Sequence, residues 1–415
     1  MPSWSSRLST LASPALAALL SASALSTLPA CGDAAGPASE KGLPAASALA
    51  ILSSDYKSSS LSIYDPATRK LVDDCVTPST LSKDTALATG TQGGEVVVLD
   101  RERSLVDFML PSICRLRAQL SVSTGGFKSN PHDVVHVSAT KAYVLRYEKN
   151  AAPTPAPDDF DEGDDLLIID PSLLTVTGRI DMSSHATAVA GATLQARPDH
   201  GVLLGGLVYV TLNNLSADFS AAGPGRVVVV DPATDAVTGT IDLPQQTGCS
   251  GIAADEAGKK LYVSCGGELS DADQTASSAL VEIDVSGATP ALGRIVAGKS
   301  LGTQPVSYAA AALLDGNAYT ATAGALDFTT GAQTAPDTLY AIALASGAGT
   351  KIIDGGAFNL GRPAVDAASK TLFVPDGDPV MPRVRVFDVS GVAAPLAPFE
   401  PNPTEHLPPR EATWY

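Results

Sequence analysis

Basic residues are scarce in this chain: 27 Lys and Arg stand against 44 Asp and Glu, a net charge of −17. A field of that sign repels phosphate backbones and anionic headgroups, which excludes nucleic acid as a partner. Cysteine is also sparse, with five in all, and no two are spaced Cys-x-x-Cys. The paired ligand spacing of a structural zinc site is therefore missing, and without Cys-x-x-Cys-His so is covalent haem attachment. Tryptophan occurs only at 4 and 414. The five histidines (132, 136, 185, 200 and 406) are scattered, so no local cluster of imidazoles advertises acid–base chemistry. Charged residues make up only 17% of the chain and apolar residues 45%, a balance that can bury a core and is not that of a disordered protein.

What is present begins with a distinct leader. Residues 1–30 carry one charge, Arg7, followed by an Ala/Leu/Ser stretch from Leu8 to Thr27 and then LPAC at 28–31. A short positive start, an apolar run and a small residue before a cut describe a secretory signal. The cysteine directly after the cut resembles the bacterial lipoprotein signal, which implies that Cys31 is lipidated; Pro29 departs from the small or β-branched residue usual there. A transmembrane anchor is the alternative, but the Ser, Thr and Pro cluster at 21–29 leaves too short an apolar span. Residues 31–47 then form a small-residue tether. The expected location is extracytoplasmic and membrane-anchored, on the outer membrane, the cell surface or the periplasmic side. The oxidising environment there makes pairing the default for the other four cysteines.

From residue 48 the chain repeats. Seven aligned sites show a short β-type run closing in a turn: LSIYD (61–65), VVVLD (96–100), LLIID (166–170), VVVVD (227–231), LVEID (280–284), LYAIA (339–343) and VRVFD (384–388). The Asp side chain can bond the backbone two residues on, and a following Pro presets φ for a type I turn. A second phrase precedes most of them: KAYVLRY (141–147), LVYVTLN (207–213), KKLYVSC (259–265), NAYTATA (317–323) and TLFVPDG (371–377). A further strand lies before each and another after, so the unit is four antiparallel strands, A to D from the centre outwards. Repeats of roughly 40–55 residues with four strands each predict a β-propeller, and seven units predict seven blades in one domain over 48–415. The YV-then-Thr/Ser phrase followed by DPxT resembles the YVTN-type propeller repeats of bacterial and archaeal surface proteins, most strongly in blades 3 to 5. A WD40 propeller is a poorer relative, because no blade carries a Trp-Asp pair.

Ring closure can be read as well. The first unit starts at ALAILSSD (48–55), a strand B, so blade 1 lacks an inner strand. Inner strands elsewhere open with Pro, at NPHDV (130–134), QPVSY (304–308) and RPAVD (362–366), and the chain finishes PPREATWY (408–415). The C-terminal segment is expected to supply strand A of blade 1 and so remove a free sheet edge. Cys249 and Cys265 flank an A–B hairpin centred on Ala257 and should lie opposite each other. Cys75 and Cys114 are placed just after strand D of blades 1 and 2, where a second bridge can form.

Function is expected in the long B–C connections of blades 3 to 6, because loops longer than a fold requires are where binding usually resides. Three of them share a pattern, with Asp159 and Phe160, Asp218 and Phe219, and Asp327 and Phe328. Either these form an exposed ring that meets a partner, or each Phe tucks onto its blade while the Asp makes a local turn. The loop at 148–165 is strongly acidic, and Asp158, Asp161, Glu162 and Asp164 are weak candidates for a calcium site, although EF-hand spacing fails. No other cofactor is expected.

Several motifs mislead. GRIVAGKS (293–300) matches a phosphate-binding loop formally, but its first half is strand D of blade 5, and SLGTQPVS after it does not read as a helix. GKSLG (298–302) mimics a nucleophile elbow without the strand–turn–helix context. His132 and His136 are four apart, as on a zinc-protease helix, but here they lie on one strand and would need a third ligand. The sequence therefore favours a monomeric, lipid-anchored binding or scaffold module, with a protein or cationic ligand on the acidic loop face. The alternative is an enzyme at the mouth of the central channel, of the propeller lactonase or quinone- or haem-type oxidoreductase kind; convergent His, Asp, Glu or Arg at the mouth would favour it.

Overall fold

A computed structural model describes residues 48–415 apart from 89–93, 125, 154–159, 269–272 and 328. Cys31, Asp158, Asp159 and Phe328 fall outside the described residues. Seven four-stranded antiparallel sheets follow one another along the chain, a seven-bladed β-propeller. From the centre outwards, blade 3 runs Pro131–Ser138, Lys141–Lys149, Gly163–Asp170 and Thr175–Asp181. Blade 4 runs Pro198–Leu204, Leu207–Leu212, Gly225–Asp231 and Ala236–Leu243. Blade 5 runs Cys249–Asp255, Lys260–Cys265, Ala279–Asp284 and Ala291–Ala297. Blade 6 runs Ala312–Leu314, Asn317–Thr322, Thr338–Ala343 and Ala348–Asp354, and blade 7 Ala364–Asp366, Thr371–Asp376, Arg383–Asp388 and Ala394–Phe399.

The core lies between blades. Seven apolar clusters occupy the seven blade–blade contacts, so each sheet is covered on both faces. This explains why the strand C phrases are continuously apolar. In VVVV, Val227 and Val229 turn to the contact with blade 5, and Val228 and Val230 to the contact with blade 3. Successive side chains of a strand point to opposite faces, and here both faces are interior. Close approach also fixes composition: a Cβ on Gly251 of blade 5 would lie 2.3 Å from the Ala310 amide nitrogen of blade 6.

Blade 1 is closed as expected. Its outer three strands, Leu49–Ser54, Ser59–Asp65 and Lys70–Val76, come from the start of the domain, and its inner strand is Pro409–Trp414. Leu49 pairs with Trp414 and Ile51 with Ala412. An aromatic group seals the joint, with Trp414 edge-on to Phe373 and Phe399 stacked on Tyr64 at 3.8 Å.

Four local readings need correction. In blade 2 the strands are Thr85–Leu87, Val96–Asp100, Leu105–Leu110 and Arg115–Ser121, so VVVLD is strand B and LVDFML strand C. A run closed by an Asx turn marks any strand before a tight turn, and here Asp100 accepts the Arg103 amide. A three-residue inner strand gave too little pattern to set the register. Cys114 consequently lies in the C–D connection of blade 2, after the 3₁₀ turn Pro111–Ile113, although it does pair with Cys75. In blade 6, QPVSY contributes only an isolated bridge from Val306 to Thr322, and the inner strand starts at Ala312. Finally, Gly298–Leu301 is one turn of α-helix, but no loop separates it from strand D, so GRIVAGKS still cannot cradle phosphate.

Candidate functional site

Proline determines where the site forms. It lacks an N–H and is tolerated at the first residue of a strand, so Pro131, Pro198 and Pro409 each open an inner strand at the channel mouth. The residues just after them, His132, Asp199 and His200, and Arg410 and Glu411, line a cavity of about 520 Å³ there. Every blade contributes to it, through strand starts and through B–C and D–A connections. The volume lies within the range of small-molecule sites, roughly 300–1,000 Å³.

At one side a single carboxylate holds two imidazoles. Asp199 Oδ1 lies 2.8 Å from His132 Nδ1 and 2.8 Å from His200 Nδ1, and Asp199 Oδ2 accepts the Asn213 amide at 2.9 Å. Burial alone would push the Asp199 carboxyl up, but His132 and His200 beside it hold it well below the usual carboxylate range. Burial works against a charged His200, and the Asp199 carboxylate outweighs it and raises His200. A carboxylate can only accept, so each ring gives it an Nδ1–H and offers Nε2 as its other nitrogen.

A column of planar groups supports this cluster. The His132 ring stacks on Tyr147 at 4.0 Å, within 7° of parallel. The Arg197 guanidinium lies 4.8 Å from the Tyr147 ring on one side and 4.2 Å from the Phe219 ring on the other. Arg197 is fully buried and bonds Glu148 at 2.7 Å. Imidazole, phenol, guanidinium and phenyl thus run from the channel to the rim.

The opposite side is cationic. Arg362 donates to the Leu87 carbonyl at 3.2 Å and lies 3.4 Å from Glu411, which also accepts the Leu87 amide. Arg101 is paired with Asp84. Arg410 donates to the carbonyls of Ser54 and Phe358, its guanidinium sits 5.0 Å from the Tyr56 ring, and it has no carboxylate partner among the described residues.

The loop residues singled out in the sequence are divided. Phe160 packs against the core between blades 2 and 3. Asp161 is buried beside Asn150, and Glu162 pairs with Arg179 at 3.5 Å. Asp164 is buried and takes the backbone amides of Arg197 and Ala196; burial raises its carboxyl. Among the described residues no group of three or more His, Cys, Asp and Glu could hold a metal ion. Asp218 makes a local turn, its carboxyl pulled down to about 2 by hydrogen bonds from Ser216 and Ser220. Asp327 likewise takes the amides of Thr329 and Thr330. Phe219 alone of the described members of the pattern lines the cavity. Cys249 and Cys265 face each other in register and are bonded.

Sequence reading missed the convergence of His132, Asp199 and His200, because scatter along a propeller chain says nothing about distance across its mouth. The available signal was the slot after each strand-opening proline. His136 does not join the cavity lining, and a register shift between Pro131 and Asp133 sets His132 apart from the regular alternation.

No protein-family model matches the sequence. No curated protein matches it either. Solved structures do share the architecture. The hydrazine synthase of Kuenenia stuttgartiensis aligns with TM-score 0.55 at 11% identity, over 80% of this chain and 90% of that one. A Bacteroides fragilis protein provisionally assigned as a 6-phosphogluconolactonase aligns with TM-score 0.54 at 10% identity, over 88% and 97%. The β-propeller domain of Cps50 (Swd1) from Myceliophteria thermophila gives 0.54 at 11% identity, over 84% and 98%. At such identities the likeness is one of fold: the chain is a seven-bladed β-propeller.

Proposed function

We propose that this is an extracytoplasmic binding protein of the YVTN-repeat kind, tethered to a membrane through lipidated Cys31, which captures a small organic acid at the mouth of its propeller. The observation that carries the reading is Arg410. In a chain with net charge −17, this guanidinium faces the cavity with no carboxylate partner among the described residues. A ligand carboxylate or phosphate would complete it with charge-assisted hydrogen bonds. His200, raised by Asp199, adds a second positive group below neutral pH. Of the acidic run at 148–165, Glu148, Asp161, Glu162, Asp164 and Asp165 are all engaged by other residues of the protein.

Thermal-shift and calorimetric titration with small carboxylates and phosphate esters tests the cavity. Binding that weakens at least tenfold in Arg410→Gln supports the reading, whereas binding indifferent to that change refutes it. Metabolic labelling with a radioactive fatty acid, lost in Cys31→Ser, tests the tether. A second reading, acid–base chemistry on the bound acid, is supported by the two imidazoles on Asp199, a pairing suited to moving a proton at Nε2. Its test is turnover of any acid found to bind, with kcat abolished in His200→Gln even at saturating acid.

A further inference from the structure

We propose that the acid held in the cavity is aromatic, with its ring lying against a rim built by Tyr56, Phe219 and Phe358 and its acidic group turned to Arg410. The inference rests on the acidic-ligand reading above and adds the class of molecule. These three side chains come from blade 1, blade 4 and the connection into blade 7, far apart in sequence, yet all line one cavity. They are 60%, 54% and 50% exposed. Aromatic residues that serve only as anchors go inwards, as Phe160 does in the same family of loops.

The backbone holds all three side chains in tight turns. Tyr56, Phe219 and Phe358 have φ of 62°, 60° and 59°, the left-handed region that bulky residues rarely enter. Phe160 shares this backbone region at φ 46° and packs inwards, so the turn fixes where each ring starts and the exposure records which way it points. Each turn is pinned by an aspartate. Asp55 takes the amides of Lys57 and Ser58, Asp218 that of Ser220, and Asp337 those of Phe358 and Leu360. The rings are thereby presented outwards on rigid supports.

Arginines stiffen the rim. Arg410 lies over the Tyr56 ring and bonds the Phe358 carbonyl, while Arg197 lies over the Phe219 ring. Each guanidinium occupies one face and leaves the residue more than half exposed for a second planar group. A polyhydroxylated ligand is the poorer fit to the rim, where the three rings offer its hydroxyls no partner beyond the Tyr56 hydroxyl. Deeper in the mouth Asn213 donates to Asp199, Tyr308 to the Gly267 carbonyl and Arg101 to Asp84, which leaves Asn213 Oδ1 and the two imidazole Nε2 atoms for polar contacts.

The test is calorimetric titration of the full chain with 4-hydroxybenzoate and naphthalene-2-carboxylate, against cyclohexanecarboxylate and gluconate of equal charge. The aromatic acids should bind about tenfold more tightly than the two saturated ones. Tyr56→Ser and Phe358→Ser should each remove about tenfold of that affinity and leave cyclohexanecarboxylate unchanged. Tyr56→Phe should restore it, and unchanged melting temperatures will show that the loops still fold. Equal affinity for all four acids, tightest binding of gluconate, or indifference to the rim substitutions overturns the aromatic inference while leaving the acidic-ligand reading intact. If no acid binds, or Arg410→Gln alters none of them, the acidic-ligand reading fails and this inference with it.

Discussion

Replacing Asp199 by Asn leaves the shape of the site unchanged and removes the charge that organises it. Asp199 takes three hydrogen bonds, from His132, His200 and Asn213, in a buried position. An amide retains one acceptor and turns an NH₂ towards groups that are themselves donors. Breaking a buried charged cluster from one side costs about 3–5 kcal/mol. Unfolding entropy of about 2.1 cal/mol/K per residue over about 370 residues converts the middle of that range into a fall in Tm of about 5 °C. The pH dependence is the sharper signature. His200 is raised in the folded protein, so its contribution is fully present below its ordinary pKa of about 6.5 and is lost as pH rises through the higher folded value. Asp199 is depressed, so its contribution is present above about 4 and is lost as pH falls through the lower folded value. In Asp199→Asn burial and the Arg362 charge oppose a proton on His200 and only Asp133 still favours it, so the ring resists protonation and the penalty is largest near pH 5 and smaller near pH 8. Calorimetric melts of both proteins across that interval decide the matter. A Tm deficit that is absent, or equal at the two ends, would refute the coupling of these residues.

Removing residues 408–415 takes away the inner strand of blade 1 and should lower Tm by roughly 10 °C or more, or abolish a cooperative melt; an unchanged transition would contradict closure. Cys249→Ser opens a loop with a sequence separation of 16 and should cost about 3 kcal/mol, matched by adding reductant to a Cys75→Ser, Cys114→Ser variant that lacks the other bridge. Burial pushes the Asp107 carboxyl up to about 6, so the folded protein loses stability as pH climbs from about 4 through 6. Asp107→Asn, still able to meet Gln119, should therefore raise Tm at pH 8 and leave it unchanged or lower at pH 4.5.

The architecture was readable because a propeller repeats its physics. Strand C packs between two neighbouring blades, and in blades 1, 3, 4, 5 and 7 it ends in an Asx turn, so VVVVD and LLIID announce the same object. The closing strand was readable from its opening proline and its two terminal aromatics. Where those cues thin out, as in the three-residue inner strands of blades 2 and 6, the register slipped. The site was far less legible. His132 and His200 lie 68 positions apart in sequence and meet only because consecutive inner strands begin at the same end of the ring. The pattern of Asp followed by Phe did draw attention to Phe219, but it could not separate that ring from Phe160, since burial is decided by neighbours from other blades.

Blade 1 is assembled from the two ends of the domain, and its closing strand also carries Arg410 and Glu411 into the cavity. Velcro and binding site are thus one segment. A chain still being completed has six blades and an open seam, and its mouth is unfinished until residues 409–414 arrive. A protease that trims the same strand from a mature molecule erases the site as it loosens the ring. Under the proposed function, ligand binding is accordingly a readout of completion, available only to molecules whose two ends have found each other.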